Sequence, residues 1–226
     1  MDRKTFLLIG LLLLLFSLLL HAQDNVAVVI KVRGVVRTTP ANTTRSSQVK
    51  RGQILKDGDR LETGPGAFCA IKFLDDKSLL RIKEKSSCVI EGKREGKTIA
   101  KNIFVEIGSF FASLFKQKNK FQITTPTSVA SVKGTQFWVQ QFGQTGETHY
   151  ICLEGVVEVK NNAGKVLVNA GQTAVVTSRS RMPLVRLTNE GEIPSRETEG
   201  SSNRSLDVEF QNANGESKIL RIEIQE

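Results

Sequence analysis

From Val26 onward, apolar and polar residues exchange places with a period of two. That one property restricts the chain to extended structure. Successive side chains of a strand point to opposite faces, so a period of two buries one face of a sheet, whereas a helix needs an apolar stripe at every third or fourth residue. The alternation is plain in Val26-Ala-Val-Val-Ile-Lys-Val32, Ala67-Phe-Cys-Ala-Ile-Lys-Phe73, Leu80-Arg-Ile82 and Val156-Val-Glu-Val159. Turn formers interrupt it about every ten residues, among them Gly34, Asp57-Gly58, Gly64-Pro-Gly66, Asp75-Asp76, Gly108 and Asn161-Asn-Ala-Gly164, as expected of many short strands. The prediction is an all-β sandwich, barrel or solenoid. Phe110–Phe115 is ambiguous by itself and reads as strand in its setting.

The N-terminus bears on location. A short basic start, Asp2-Arg3-Lys4, precedes the apolar run Phe6–Leu20 and then His21-Ala22-Gln23. An apolar run this short fits the core of a signal peptide better than the ~20 residues a spanning helix needs. Residues 1–23 are therefore expected to be a leader, cut after Ala22 or Gln23, and the working domain is expected to be periplasmic or secreted. The rival is an uncleaved membrane anchor with its bulk outside the cytoplasm. Residues 25–185 are expected to form the β domain. Residues 188–205, polar and rich in acids, Gly and Ser, read as a linker. Residues 206–226 alternate around Asn212-Ala-Asn-Gly215 and predict a β-hairpin, which by itself is marginal in water and needs a surface to dock on.

Net charge is +9, or 9 − 1 = +8 once Asp2, Arg3 and Lys4 are removed. A basic body attracts anionic envelope polymers or an acidic protein patch; a merely solvated basic face is the blander reading. Cys69, Cys88 and Cys152 make an odd count. One pair could close in an oxidising compartment, but each sits at an apolar position of an alternating run, so three buried thiols without a bond are the plainer expectation.

One strand breaks its own alternation. In Phe121-Gln-Ile-Thr-Thr125 the apolar face is odd-numbered, after Pro126 it moves to Ala130 and Val132 with Lys133 outward, and beyond Gly134 it returns to Thr135, Phe137 and Val139. A slip of one residue turns a strand inside out unless a bulge or corner absorbs it. Gly134 is the residue free to take positive φ and is expected to supply that bulge, and Pro126, lacking an N–H, marks a corner or edge. Lys133-Gly134-Thr135 is not the end of a phosphate loop, because the upstream glycine and the following helix are missing. Parity sets Trp138 opposite Phe137. It is a candidate partner contact if outward, and an ordinary packed residue if the hairpin or a second layer covers it.

The run Phe121–Val139 closely resembles the core motif of FecR-type domains, which reads roughly F-x-V-x-T-P-x-A-x-A-x-V-R-G-T-x-F-x-V. Its structural positions here are Thr125, Pro126, Val132, Lys133, Gly134, Thr135 and Phe137. Flanking stretches are similar to the same family in the same order: Gly52–Thr63, Ala70–Ile82, Val105–Phe110, Cys152–Val159 and Leu167–Gln172. Ser128, Lys133 and Lys77 depart from it. The resemblance covers about residues 26–177 and implies a β-solenoid or jelly-roll-like stack in a bacterial extracytoplasmic signalling module. It also implies a protein partner in the envelope and a link to iron–siderophore signalling through a sigma factor. Here only about five residues precede the apolar run, too few for a sigma-binding segment, so direct sigma-factor control by this polypeptide is not expected.

Other chemistry finds little support. His149 is the only histidine outside the leader, so His-based triads and metal clusters have no second partner. Asp57/Asp59 and Asp75/Asp76 sit in turn sequences, where Asp bonds locally. No catalytic residue, metal or cofactor is expected. A nucleic-acid partner is not expected either, given export and a single Trp and Tyr. The expectation is a non-catalytic protein-binding module of the envelope. The alternatives are a basic module for an anionic cell-wall or lipopolysaccharide polymer, and an uncleaved membrane-anchored regulator.

Overall fold

A computed structural model describes residues 25–115, 121–194, 204–211 and 217–224. The leader expected over 1–23 lies outside the described residues. The chain divides into two compact units, Met1–Thr188 and Asn189–Glu226.

The first unit is built from seventeen strands. In chain order they are β1 (Asn25–Arg33), β2 (Val36–Thr39), β3 (Ser47–Gln48), β4 (Ile54–Lys56), β5 (Asp59–Thr63), β6 (Phe68–Phe73), β7 (Leu79–Ile82), β8 (Ser86–Glu95) and β9 (Thr98–Ser113). There follow β10 (Phe121–Thr124), β11 (Val129–Val132), β12 (Gln136–Gln141), β13 (Thr148–Glu154), β14 (Val156–Asn161), β15 (Gly164–Asn169), β16 (Gln172–Val176) and β17 (Leu184–Leu187). In the second unit a 3-10 turn at Glu190–Glu192 precedes the antiparallel hairpin of β18 (Arg204–Gln211) and β19 (Ser217–Ile224). No α-helix occurs among the described residues, and Phe110–Ser113 is strand. The all-β expectation holds, hairpin included.

The seventeen strands form one continuous sheet folded into two layers. The first layer runs β4-β1-β6-β7-β9-β12-β13-β16-β17. The second runs β3-β2-β5-β8-β9-β10-β11-β14-β15. All these neighbours are antiparallel except β9–β10, which are parallel. The chain changes layer every one or two strands, so each turn of the stack adds a strand to both sheets. The inward rows of both layers meet in one core that includes Val29, Leu61, Ile71, Phe73, Ile103, Phe121, Phe137, Tyr150 and Val159. Phe73 and Phe121, from opposite layers, meet edge to face at 5.6 Å.

Strand β9 belongs to both layers. Its residues from Thr98 to Ile107 pair with β8, and those from Gly108 to Ser113 pair with β12. The crossing falls at Gly108, whose φ of 109° suits glycine and where a Cβ would collide with the Ser86 side chain. The Ser86 hydroxyl uses that space to accept the Ser109 N–H at 3.1 Å.

The interrupted strand has a related explanation. β11 lies in the second layer and β12 in the first, so the chain changes sheets between Val132 and Gln136, with Gly134 at φ 72° in the corner. The bulge is separate: the β12–β13 register shifts between Gln136 and Phe137. Reversal of the apolar face thus combines a corner at Gly134 with a bulge two residues on, a correction to the expected single bulge at the glycine, because the chain has to change sheets as well as faces here.

Candidate functional site

The motif residues gather at the turns of the stack, and their polar atoms are spent on one another. Thr125 ends β10. Its N–H donates to Ser128 O at 2.8 Å, and its hydroxyl accepts the Ser128 N–H at 3.2 Å, closing a tight turn around Pro126. That hydroxyl also lies 3.1 Å from Thr148 Oγ1, while Ser128 Oγ shares a 2.9 Å hydrogen bond with the Tyr150 hydroxyl. Thr127 and Thr148 are joined at 2.7 Å, and Thr148 donates onward to Gln141 Oε1. The Arg179 guanidinium donates to the Pro126 carbonyl. A buried hydroxyl must find a partner or lose its hydration uncompensated, and here a chain of hydroxyls connects the β10–β11 turn of one layer to β12 and β13 of the other. Burial pushes the Tyr150 phenol up to about 12, against hydrogen bonds from Ser128 and Thr125 that lower it.

The rest of the motif is equally structural in position. Val132 and Phe137 are core residues, Lys133 is exposed in the corner between β11 and β12, and Thr135 Oγ1 donates to Val156 O at 3.2 Å. Gly155, at φ 81°, turns beside it, and a Cβ there would come within 2.9 Å of Gly134 O. Two corners of the stack therefore pack backbone against backbone.

Trp138 lies on the face opposite Phe137, and it is buried rather than outward. It is 1% exposed, in a small cluster with Phe111 and Ile151 on the outer side of the first layer. Phe111 meets its ring at 5.2 Å, and the Lys83 ammonium lies 5.6 Å over it. A covered indole is no ready anchor, so a partner contact through Trp138 would first require this cluster to open.

Cys69, Cys88 and Cys152 are free and buried. Burial lifts Cys69 from 9.0 to about 12 and Cys88 in the same direction. His149 lies within β13, stacked edge-on against Phe142 at 4.9 Å and 3.6 Å from Glu147. Among the described residues no three His, Cys, Asp or Glu side chains gather as a metal site.

One cluster escaped the sequence reading. Lys101, on β9, has a side chain 0% exposed, and its ammonium sits 2.8 Å from Asp75, which is 4% exposed, and in contact with Asp76 as well. Asp75 also accepts the Ile99 N–H at 2.9 Å, and Asp76 the Ser78 N–H at 2.9 Å. The two aspartates do bond locally, as their turn sequence suggests, but they also neutralise a lysine that the alternation turns inward. The signal was present: Lys101 shares its parity with Ile99 and Ile103.

The last strand of the first layer is the most exposed apolar element. β17 pairs with β16 alone among the described residues, with Leu184 63% and Leu187 77% exposed. β15 ends the second layer and bears the exposed Leu167.

Residues 59–158 match the protein family described as FecR protein. The match begins at β5 and ends within β14, so β1–β4 and β15–β17 flank the matched segment, and β1, β2, β15 and β16 pair directly with its strands. No curated protein matches the chain in sequence. Two solved structures of a candidate anti-sigma factor from Parabacteroides distasonis ATCC 8503 are similar in fold. One is 14% identical with a TM-score of 0.49, covering 59% of this chain and 61% of that one. The other is 14% identical with a TM-score of 0.40, covering 70% and 62%. This chain thus spans about three fifths of their length.

Proposed function

We propose that this FecR-domain protein is a non-catalytic, extracytoplasmic module that binds a protein partner in envelope signalling or scaffolding. The observation that carries the reading is where its polar and apolar groups go. The hydroxyls of Thr125 and Thr135 are consumed inside the stack, while leucines stand exposed on an end strand. A site for chemistry would aim polar groups at a cleft; a docking surface exposes apolar ones. The basic start and the apolar run Phe6–Leu20 support export to the periplasm or beyond. The family resemblance supports a tie to iron–siderophore signalling through a protein partner.

The test is capture on the immobilised chain from envelope extract, with the recovered protein identified, purified and rebound at rising salt. Binding of one protein with modest salt dependence is expected. If only peptidoglycan or lipopolysaccharide binds, and binding falls steeply with salt as screened charge requires, the module binds an anionic polymer instead, the reading that the charge of +9 favours. The intact mass of the envelope-purified chain separates a leader cut after Ala22 or Gln23 from a retained membrane anchor.

A further inference from the structure

Independently of that reading, we infer that the first end of the stack is a lipid-binding surface, which rests on the phosphate headgroups of an anionic bilayer. The charge of the chain is gathered there. Residues 25–56 hold seven Lys and Arg and no Asp or Glu, leaving 9 − 7 = +2 for all the rest. Folding brings this stretch to one end of both layers, where β4 ends the first and β3 the second. Between them the turn at residues 50–53 crosses from layer to layer and is pinned to β1 and β2. Val49 N–H donates to Val36 O at 2.9 Å, Gly52 N–H to Val29 O at 2.8 Å, and Val29 N–H to Gln53 O at 2.9 Å. Val49 and Leu55 are buried on either side of the turn, and Lys50 and Arg51 are left exposed. Strand β17, from which the chain leaves the first unit, ends the first layer on its opposite side.

Arg37 has Glu62 opposite it on β5. Arg33, Arg45, Lys50, Arg51 and Lys56 are all exposed, and the acids next in sequence are engaged by backbone donors. Asp57 accepts the Gly92 N–H at 2.8 Å, and the buried Asp59 accepts the Lys56 N–H at 2.9 Å. Like charges gathered on one end repel each other, and an anionic surface relieves that repulsion. The apolar side chains set among these bases separate a bilayer from a dissolved polyanion. Val35 stands between Arg33 and Arg37 in the turn from β1 to β2, Ile54 opens β4 after Arg51, and both are exposed. A dissolved anionic chain leaves such residues in water. The headgroup boundary takes up apolar side chains and neutralises the bases around them.

The probe is a pair of vesicles, one of phosphatidylglycerol and phosphatidylcholine in equal parts and one of phosphatidylcholine alone, sedimented with the envelope-purified chain at rising salt. Preference for the anionic vesicles, falling with salt, is expected. It is read as the ratio of the two, to which a retained apolar leader contributes alike. Lys50→Glu with Arg51→Glu should reduce that preference at least about twentyfold and leave the unfolding midpoint unchanged, since both side chains are exposed. Lys160→Glu with Lys165→Glu, the same change of net charge at the far end of the second layer, should alter it little. Val35→Ser with Ile54→Ser should weaken binding to anionic vesicles several-fold and leave binding to soluble polyphosphate unchanged. The inference falls if the two vesicles bind alike, or if the Lys160 and Lys165 reversal weakens binding as much as that of the turn. It falls also if the serine variant binds anionic vesicles as wild type does, since the end would then be a site for a dissolved polyanion.

Discussion

Lys101 shows how one residue can oppose the pattern around it and still be required by it. Its neighbours in parity, Ile99 and Ile103, are fully buried core residues, and the ammonium is held between Asp75 and Asp76 with the Phe73 ring 5.3 Å away. A buried ion pair is weak support for stability as a whole, but breaking one strands a charge away from water. Lys101→Met should therefore cost about 3–5 kcal/mol, measured as a drop in urea midpoint. Replacing Lys101, Asp75 and Asp76 together by apolar residues should recover much of that loss. A near-neutral single substitution would mean that the carboxylates reach water and the triad is not sealed. The sequence betrayed the inward lysine by parity, but its counter-charges lie 25 and 26 residues away, across a pairing that only the fold defines.

At the scale of elements, β9 and the β11–β12 corner each carry the chain from one sheet to the other at a glycine. Gly134 is legible in the sequence because the apolar face reverses around it. Gly108 is less so, since the reversal there is hidden in a long run whose residues are apolar on both faces. Gly108→Ala would need both φ 109° and the place of the Ser86 side chain. The expected cost is about 3 kcal/mol or more, with the hydrogen-exchange protection of β9 and β12 falling together; an unchanged midpoint would show that the crossing relaxes freely. Trp138 lies one element further on. Parity correctly separates it from Phe137, but whether an outer face is wet or covered depends on what packs against it, which alternation does not encode.

For the whole molecule, burial of titratable groups sets a limit on the alkaline side. Burial lifts Cys69 from 9.0 to about 12, Cys88 in the same direction, and Tyr150 from 10.0 to about 12. The folded chain keeps these protons where the unfolded chain has released them, so stability falls as pH rises. The contribution is whole below about pH 9 and is lost toward about pH 12, at up to ~1.4 kcal/mol per group per pH unit. Urea midpoints should decline with increasing slope over that window, and Cys69→Ala should flatten the slope even if it lowers the starting value. Thiol reagents should label none of the three cysteines in the folded chain and all three once it is unfolded. A flat midpoint, or ready native labelling, would contradict the burial assigned to them.

The extended character of the chain, its turns, the corner at Gly134 and the FecR-like motif follow from local order. A period of two and the turn residues act on the backbone through neighbours a few positions away. The pairing of strands into two layers, the hydroxyl chain from Thr125 to Tyr150, the sealing of Lys101 and the covering of Trp138 were decided only by tertiary structure. Each joins residues remote in sequence, and the free energy of burying a polar or aromatic group depends on what the opposite layer brings to it. Strand β17 lies between these cases: its leucines are written in the sequence, but their exposure and its pairing with β16 alone among the described residues were decided by the fold.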